Sequence, residues 1–520
     1  MPNPTRRDTI LTAAALLVAT PAHAAERPLT VVLESEVVIL DPHMTTAAIT
    51  RTFGYHVFDT LFAPDLAGAI HPQMVDTYDT SPDGLLWRFT LRRGLTWHDG
   101  APVTAADCVA SLQRWAPKDG LGRLLAATTA SMAVTDARTF TIALKQPFPL
   151  MLPLLGKVNA PLPVMMPARI LPPTQDARIT TIIGSGPFTF QAADWRPGDR
   201  MVLARNPAYQ PRPEPPDFLA GGKVVHIDQV VLQVMPDDAT GATALAAGEI
   251  DYMQYLPFDW LAKLERSPDV KLMTLGGIDM FQGNFRLNHA TGPFADPAVR
   301  RVLWHLVDQA DTLQAIGIPP RFAVPNCPAF FMCDAPLTTT AGADAARFSI
   351  EAARTALAAT AYRGEPVIML ETSGSISQTA CTLLAQNMRA AGFTVEEQAM
   401  DWGTVLARRA KHDGWSLFGV YSNGIDMISP LTHFYVANNC SDYPGFSCSP
   451  ALTRLLADYA AAADDAARKQ TAAAIQTECY QLVPSVMWGQ FARPAGYRTN
   501  LRGLVQSSFP IFWQVDRVSS

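Results

Sequence analysis

The segment between Pro366 and Asp426 constrains the fold more than any other part of the 520-residue chain. Val367-Ile368-Met369-Leu370 is a short apolar run bounded by polar residues. Residues 375–391 follow as a helix, closed by Gly392 where left-handed backbone is needed. Residues 394–398 read as a strand, 401–412 as a second helix, and 415–421 as a third strand. This β-α-β-α-β order predicts parallel strands joined by right-handed helical crossovers, an α/β fold. Ligands collect beyond the carboxyl ends of such strands. Those ends carry Glu371-Thr372-Ser373 and Ser422-Asn423-Gly424-Ile425-Asp426. Trp402, Trp415 and Tyr421 belong to the same unit, and a flat aromatic lining suits an amphipathic organic ligand. Trp415 sits inside a strand run and is expected in the core.

A chain of this length needs at least two cores. Residues 29–34 read as a first strand and 50–61 as an amphipathic segment. Strands are expected at 86–92 and 139–144. Thr104 with Asp107 three residues on is a capping-box start for a helix running to about Arg114. Residues 147–173, rich in Pro, Leu and Met, read as a covering subdomain. Phe188-Thr189-Phe190 and Met201-Val202-Leu203 read as paired strands, and 224–234 as a further β run. A helix over 237–247 ends at Gly248, and Asp296-Pro297 opens another that extends to about Asp311.

The first residues form a signal segment. Arg6-Arg7 precede an apolar stretch, and Ala22-His23-Ala24 supplies a cleavage site, so residues 1–24 read as a cleaved secretory signal peptide. The paired arginines with Ile10 and Leu11 favour the twin-arginine route over the general secretory one. No cysteine lies near the cleavage site, which argues for a free periplasmic protein. No later apolar run is long enough to span a bilayer. A net charge of -6 without a Lys/Arg block offers nucleic acid no footprint.

Seven cysteines are present and none forms a C-x-x-C pair. Cys327 with Cys333, and Cys440 with Cys448, lie close together in Pro/Gly/Asn-rich loops, so two short disulfides are expected in an oxidising compartment. The odd count leaves at least one thiol free, and a buried thiol at Cys108 or Cys381 is expected. There is no G-x-S-x-G, H-E-x-x-H, Walker loop or G-x-G-x-x-G. Catalytic residues, metal ligands and cofactors are therefore all expected to be none. His412 and His433 lack helix-spaced partners and read as structural or solvated, although His433 is a conceivable ligand if the cargo were a metal chelate.

Several segments, in order, carry a family resemblance: Ile70-His71-Pro72-Gln73-Met74-Val75, then 81–94, then Thr96-Trp97-His98-Asp99-Gly100-Ala101-Pro102-Val103-Thr104-Ala105-Ala106-Asp107. Gly184-Ser185-Gly186-Pro187-Phe188, Arg205-Asn206-Pro207-Ala208-Tyr209, 245–251 and 299–303 continue it. The chain resembles, over about residues 30–515, the family 5 extracellular solute-binding proteins of ABC importers. The resemblance implies a two-lobed periplasmic binding protein of the Venus-flytrap kind, with an extra subdomain in the first lobe. Residues 25–69, 184–280 and 495–520 would form the core of lobe 1, 70–183 its extra subdomain, and 281–494 lobe 2. It also implies a monomer that captures a peptide or similar solute and hands it to ABC permease subunits in the inner membrane.

In peptide-binding relatives an Asp followed four residues later by Pro receives the peptide ammonium, and Asp426 with Pro430 matches that pattern. The family's Trp three residues before that Asp is here Asn423. Tyr421, Asn423 and Trp402 would shape the pocket, and His43 to Thr46, including Thr45 and Thr46, would face it from the other lobe. Arg286 and Arg363 are conceivable grips for a carboxylate, each expected at the surface.

Overall fold

The structure, a computed structural model, describes residues 27–174, 176–462 and 464–518. The expected signal peptide lies outside the described residues.

The β-α-β-α-β unit is built as three parallel strands, Val367–Thr372, Val395–Met400 and Leu417–Asn423, with Val367–Thr372 between the other two. Helix Ile376–Ala391 starts where the Ser375 side chain accepts from the Ser377 amide, and it stops at Gly392 in left-handed backbone. Helix Trp402–Arg409 is shorter than expected, because Asp401 caps its start and the chain turns before Gly414. Trp415 precedes the third strand rather than lying in it. It is nonetheless buried against Leu370, Val405 and Phe418, with its indole N–H donating to Lys411 O at 2.7 Å.

Strand Phe281–Leu287 extends this unit on the other side and is buried along its whole length. It runs antiparallel to both Leu417–Asn423 and Ser485–Phe491, so the finished six-stranded sheet is mixed. At Gly283 the backbone lies directly on the Trp488 indole. The expected helix from Asp296 to Asp311 is broken. It resolves into Pro297–Val302, a tight turn at Leu303–His305, and a new helix Gln309–Ile316. The Asp308 side chain accepts from the Asp311 amide and so starts that second helix.

A second sheet of seven strands has Leu29–Val32 inside it, parallel to Gln229–Gln233 and Tyr252–Met253. Of the β run expected at 224–234, only Gln229–Gln233 pairs. Strand Ala495–Arg498, from the far end of the chain, closes between Tyr252–Met253 and Val270–Met273. The backbone therefore passes between the two sheets twice, through 274–280 and 492–494. A third, antiparallel sheet of four strands, Val75–Thr80, Leu86–Leu91, Thr139–Leu144 and Thr129–Val134, packs against helix Ala105–Trp115. The Thr104–Asp107 capping box at the start of that helix is formed in both directions.

Buried ion pairs tie this third unit and its neighbours together. Arg114 clamps Asp41 through Nη1 at 3.1 Å and Nη2 at 2.6 Å. Lys223 donates to Asp59 at 2.8 Å, and Lys157 pairs with Asp119. Disulfides join Cys327 to Cys333 and Cys440 to Cys448. Cys108, Cys381 and Cys479 are buried free thiols.

His56, in helix Ala48–Val57, donates from Nδ1 to Thr52 O at 2.6 Å and accepts the Phe512 amide on Nε2 at 3.0 Å. That acceptor role requires a neutral ring. Burial accordingly lowers its pKa to about 4. The unfolded ring takes up a proton below pH ~6.5 and the folded ring does not, so this residue's stabilisation is complete above pH ~6.5 and declines as pH falls toward 4. Its loss should total about 3 kcal/mol, and denaturant unfolding of His56→Gln should show a pH slope flatter by that amount than the parent protein. Gly283→Ala should lower stability by about 1–3 kcal/mol, because its methyl group is driven into the rigid Trp488 ring. An unchanged denaturation midpoint would refute that packing.

Candidate functional site

A cavity of about 530 Å³ lies between the two large sheets. Its first wall is made by Leu33-Glu34-Ser35, directly after strand Leu29–Val32, by Thr45 and Thr46, and by the start of helix Ala48–Val57. Thr45 Oγ1 accepts the Ala47 amide at 3.0 Å, a local turn that aims the chain into that helix. The opposite wall comes from the carboxyl ends of two parallel strands, with Thr372 and Ser373 on one and Tyr421, Ser422 and Asn423 on the other. Trp402, Leu406 and Arg409, one face of a single helix, complete it. All six residues singled out from the sequence, Thr45, Thr46, Trp402, Tyr421, Asn423 and Asp426, lie on this cavity. His43 does not. It is buried, donating from Nε2 to Val164 O at 2.9 Å and receiving Arg114 on Nδ1 at 3.1 Å.

The wall is aromatic and polar at once. Trp402 is 40% exposed, a large apolar surface facing the space. Tyr421 meets Phe281 edge-on at 5.3 Å, and Phe434 stacks with Tyr443 at 6.4 Å. The side-chain oxygen of Asn423 is buried without a hydrogen-bond partner among the described residues. Such an atom is costly to leave unpaired, and a donor on a ligand would satisfy it.

Asp426 is positioned by backbone. The chain turns tightly at Gly424–Asp426, and the Gly424 amide donates to Met280 O at 2.7 Å. A side chain at 424 would meet Ile278 O and Met280 O, both at 2.7 Å, so glycine is required for that approach. The Asp426 carboxylate then accepts from Arg51 Nη1 at 2.7 Å, with side chains 5% and 0% exposed. Arg51 stands on helix Ala48–Val57 of the first wall, so this ion pair spans the cleft; the guanidinium also lies over Phe509 at 4.7 Å. Burial pushes the Asp426 carboxyl above its ordinary range, and the charge and hydrogen bond of Arg51 oppose that shift.

Glu34 differs. Its surface opens into the cavity, and its carboxylate has no hydrogen-bond or ion-pair partner among the described residues. Enclosure by protein raises its pKa, with Arg493 pulling the other way. Arg493, on the segment crossing between the sheets, donates to Asp238 at 3.3 Å and lies over the Tyr255 ring at 4.6 Å. Arg409 lies 5.1 Å over both Trp402 and Phe418, and its guanidinium makes no hydrogen bond among the described residues.

The arginines considered from sequence are elsewhere. Arg286 is not at the surface. It is fully buried, donating to Pro484 O at 2.6 Å and Pro444 O at 2.8 Å, with Tyr435 beneath it. Arg363 is exposed, bonded to Thr360 O and Tyr362 O, and is not on the cavity wall. Arg409 was legible in principle, since it follows Trp402 by seven residues on the same helical face. Arg51, Glu34 and Arg493 carry no local sign of their position. His433 caps helix Phe434–Ala437 and is buried, its pKa lowered to about 3 by desolvation, while His412 packs edge-on against Phe446. No group of three or more His, Cys, Asp or Glu that could hold a metal occurs among the described residues.

Two sheets joined by two crossings, with an enclosed cleft walled by both, define a two-lobed solute-binding protein. The profile of the bacterial extracellular solute-binding proteins, family 5, matches residues 69–444. The chain belongs to that family, whose members serve ABC importers. It is 34% identical to a probable peptide ABC transporter periplasmic-binding protein, y4tO, of Sinorhizobium fredii, over 98% of this chain and 96% of that protein. It is 26% identical to the glutathione-binding protein GsiB of Salmonella typhimurium, over 57% of this chain and 55% of the other. The fold matches that of AgaA from A. tumefaciens R10, in complex with agropinic acid, with a TM-score of 0.77 at 21% identity, covering 95% and 99% of the two chains. It equally matches DppA of Helicobacter pylori in complex with peptide STSA, TM-score 0.77 at 19% identity, covering 94% and 98%.

Proposed function

We propose that this protein is the periplasmic receptor of a peptide-type ABC importer, exported through a twin-arginine signal and acting as a monomer. It binds without catalysing. The observation that carries the reading is the cavity between the lobes, lined by aromatic and polar side chains together, with walls drawn from both sheets. Lobe 1 (25–69, 184–280 and 495–520, with the extra subdomain 70–183) and lobe 2 (281–494) pivot about the two crossing segments. Ligand in the cleft touches both walls and therefore stabilises the closed arrangement, the state that the membrane permease reads. Trp402 and Tyr421 give apolar surface to the solute body, and Thr45, Thr46 and Asn423 give hydrogen bonds.

Peptide uptake is supported by y4tO, a probable peptide receptor that is similar along nearly the whole chain. A second reading, a non-peptide amphipathic solute, is supported by the Arg51–Asp426 pair, which occupies the carboxylate a peptide ammonium would otherwise take. Native mass spectrometry of the mature protein, then thermal-shift screening with di-, tri- and oligopeptides, agropinic acid and metal chelates, separates the two. A saturating ligand at 100–1,000 times its dissociation constant should stabilise by about 3–4 kcal/mol. Trp402→Ala should weaken whichever ligand binds by roughly tenfold or more, about 1.4 kcal/mol. Unaltered affinity would remove Trp402 from the site, and shifts confined to non-peptides would discard the peptide reading.

A further inference from the structure

Five charged side chains stand on the cavity wall: Glu34, Asp238, Arg409, Asp426 and Arg493. Two of the three carboxylates are already matched, Asp238 by Arg493 at 3.3 Å and Asp426 by Arg51 at 2.7 Å. Two groups remain without a charge partner among the described residues, Glu34 on the first wall and Arg409 on the second. One is an anion and one a cation, and they belong to opposite lobes.

We propose that the amine-recognising carboxylate of this receptor is Glu34 rather than Asp426, that Arg409 receives the ligand's carboxylate, and that the preferred solute is a zwitterion bearing both groups. The assignment rests on the receptor reading above. Asp426 serves instead as one half of an ion pair between the lobes. Its Arg51 partner is fully buried, and a ligand ammonium could claim the carboxylate only by leaving that guanidinium without a counter-charge. Glu34 forms no ion pair at bonding distance among the described residues; Arg493 and, more weakly, Arg51 act on it only through their charge, and Arg493 is bonded to Asp238. The protein around this exposed carboxylate raises its pKa, and an arriving ammonium would favour its ionised form. Arg409 lies 5.1 Å over both Trp402 and Phe418, and its N–H groups, which make no hydrogen bond among the described residues, are available to a planar carboxylate. An apolar solute body would lie beside it on the exposed face of Trp402.

The test uses the full mature protein and three matched probe sets: a mixed di- and tripeptide library, the same library N-acetylated, and the same library C-amidated. Binding is read by native mass spectrometry and confirmed by calorimetry on the strongest members. The parent protein should prefer free over acetylated peptides, and free over amidated ones, by at least tenfold. Glu34→Gln should abolish the first preference and Arg409→Gln the second. Asp426→Asn should keep the free-over-acetylated preference whatever its absolute affinity. The unliganded thermal midpoint of Glu34→Gln should not fall, since its carboxylate makes no hydrogen bond or ion pair among the described residues. The proposal is overturned if the preference disappears in Asp426→Asn and survives in Glu34→Gln, or if acetylated peptides bind as well as free ones. Silence of the parent protein toward every library instead removes the peptide reading, and the zwitterion assignment falls with it.

Discussion

A chain that leaves its first sheet after Met273 and comes back to it at Ala495 is held together across the cleft by two short backbone segments. Everything else between the lobes is non-covalent, the buried Arg51–Asp426 pair included. This constraint makes the cavity possible. The strand ends that point into it belong to two different sheets, and one buried apolar cluster runs from Val32, Leu245 and Val270 beside the first to Phe281, Phe285 and Trp488 of the second. It also explains why the crossing segments carry functional weight. Met280 fixes the turn that presents Asp426, and Arg493 stands on the return path beside Glu34 and Tyr255.

The parts legible in the sequence are those whose signals are local. Ser375 and Gly392 bracket a helix by capping chemistry alone, and the strand ends at Thr372 and Asn423 follow from the alternation of elements. The six residues expected at the site lie on one cavity because the carboxyl ends of parallel strands converge there. The antiparallel half of the second sheet was not legible, since Phe281–Leu287 and Ser485–Phe491 pair across about two hundred residues with no shared local pattern. Arg51 was invisible for the same reason. It meets Asp426 across 375 positions, and as one arginine in an apolar helix it looks like a surface residue. Arg286 misled in the same direction, because a buried arginine paired with backbone carbonyls has no signature in sequence. The helix expected over 296–311 failed where a second cap, Asp308, competed with propagation.

Charge is handled differently in the two lobes. The first buries carboxylates with matched cations, Asp41 with Arg114, Asp59 with Lys223 and Asp119 with Lys157. Asp41–Arg114 ties helix Ala105–Trp115 to the segment that follows strand Leu29–Val32, and in each of the three pairs either partner alone would be a buried unpaired ion. The second lobe spends Arg286 and Arg300 on carbonyl oxygens at loop and helix ends. The cleft between them is the place where charges stay partly unmatched, and that makes it the part of the molecule with the most to gain from a partner.

The two disulfides enclose sequence separations of only six and eight residues, and both lie within the second lobe. They pin loops and cross no boundary. Cross-links so local remove less freedom from the unfolded chain than bridges between distant segments would. Neither cross-linked loop is one of the two backbone segments that join the sheets, so the disulfides and the crossings constrain different parts of the chain.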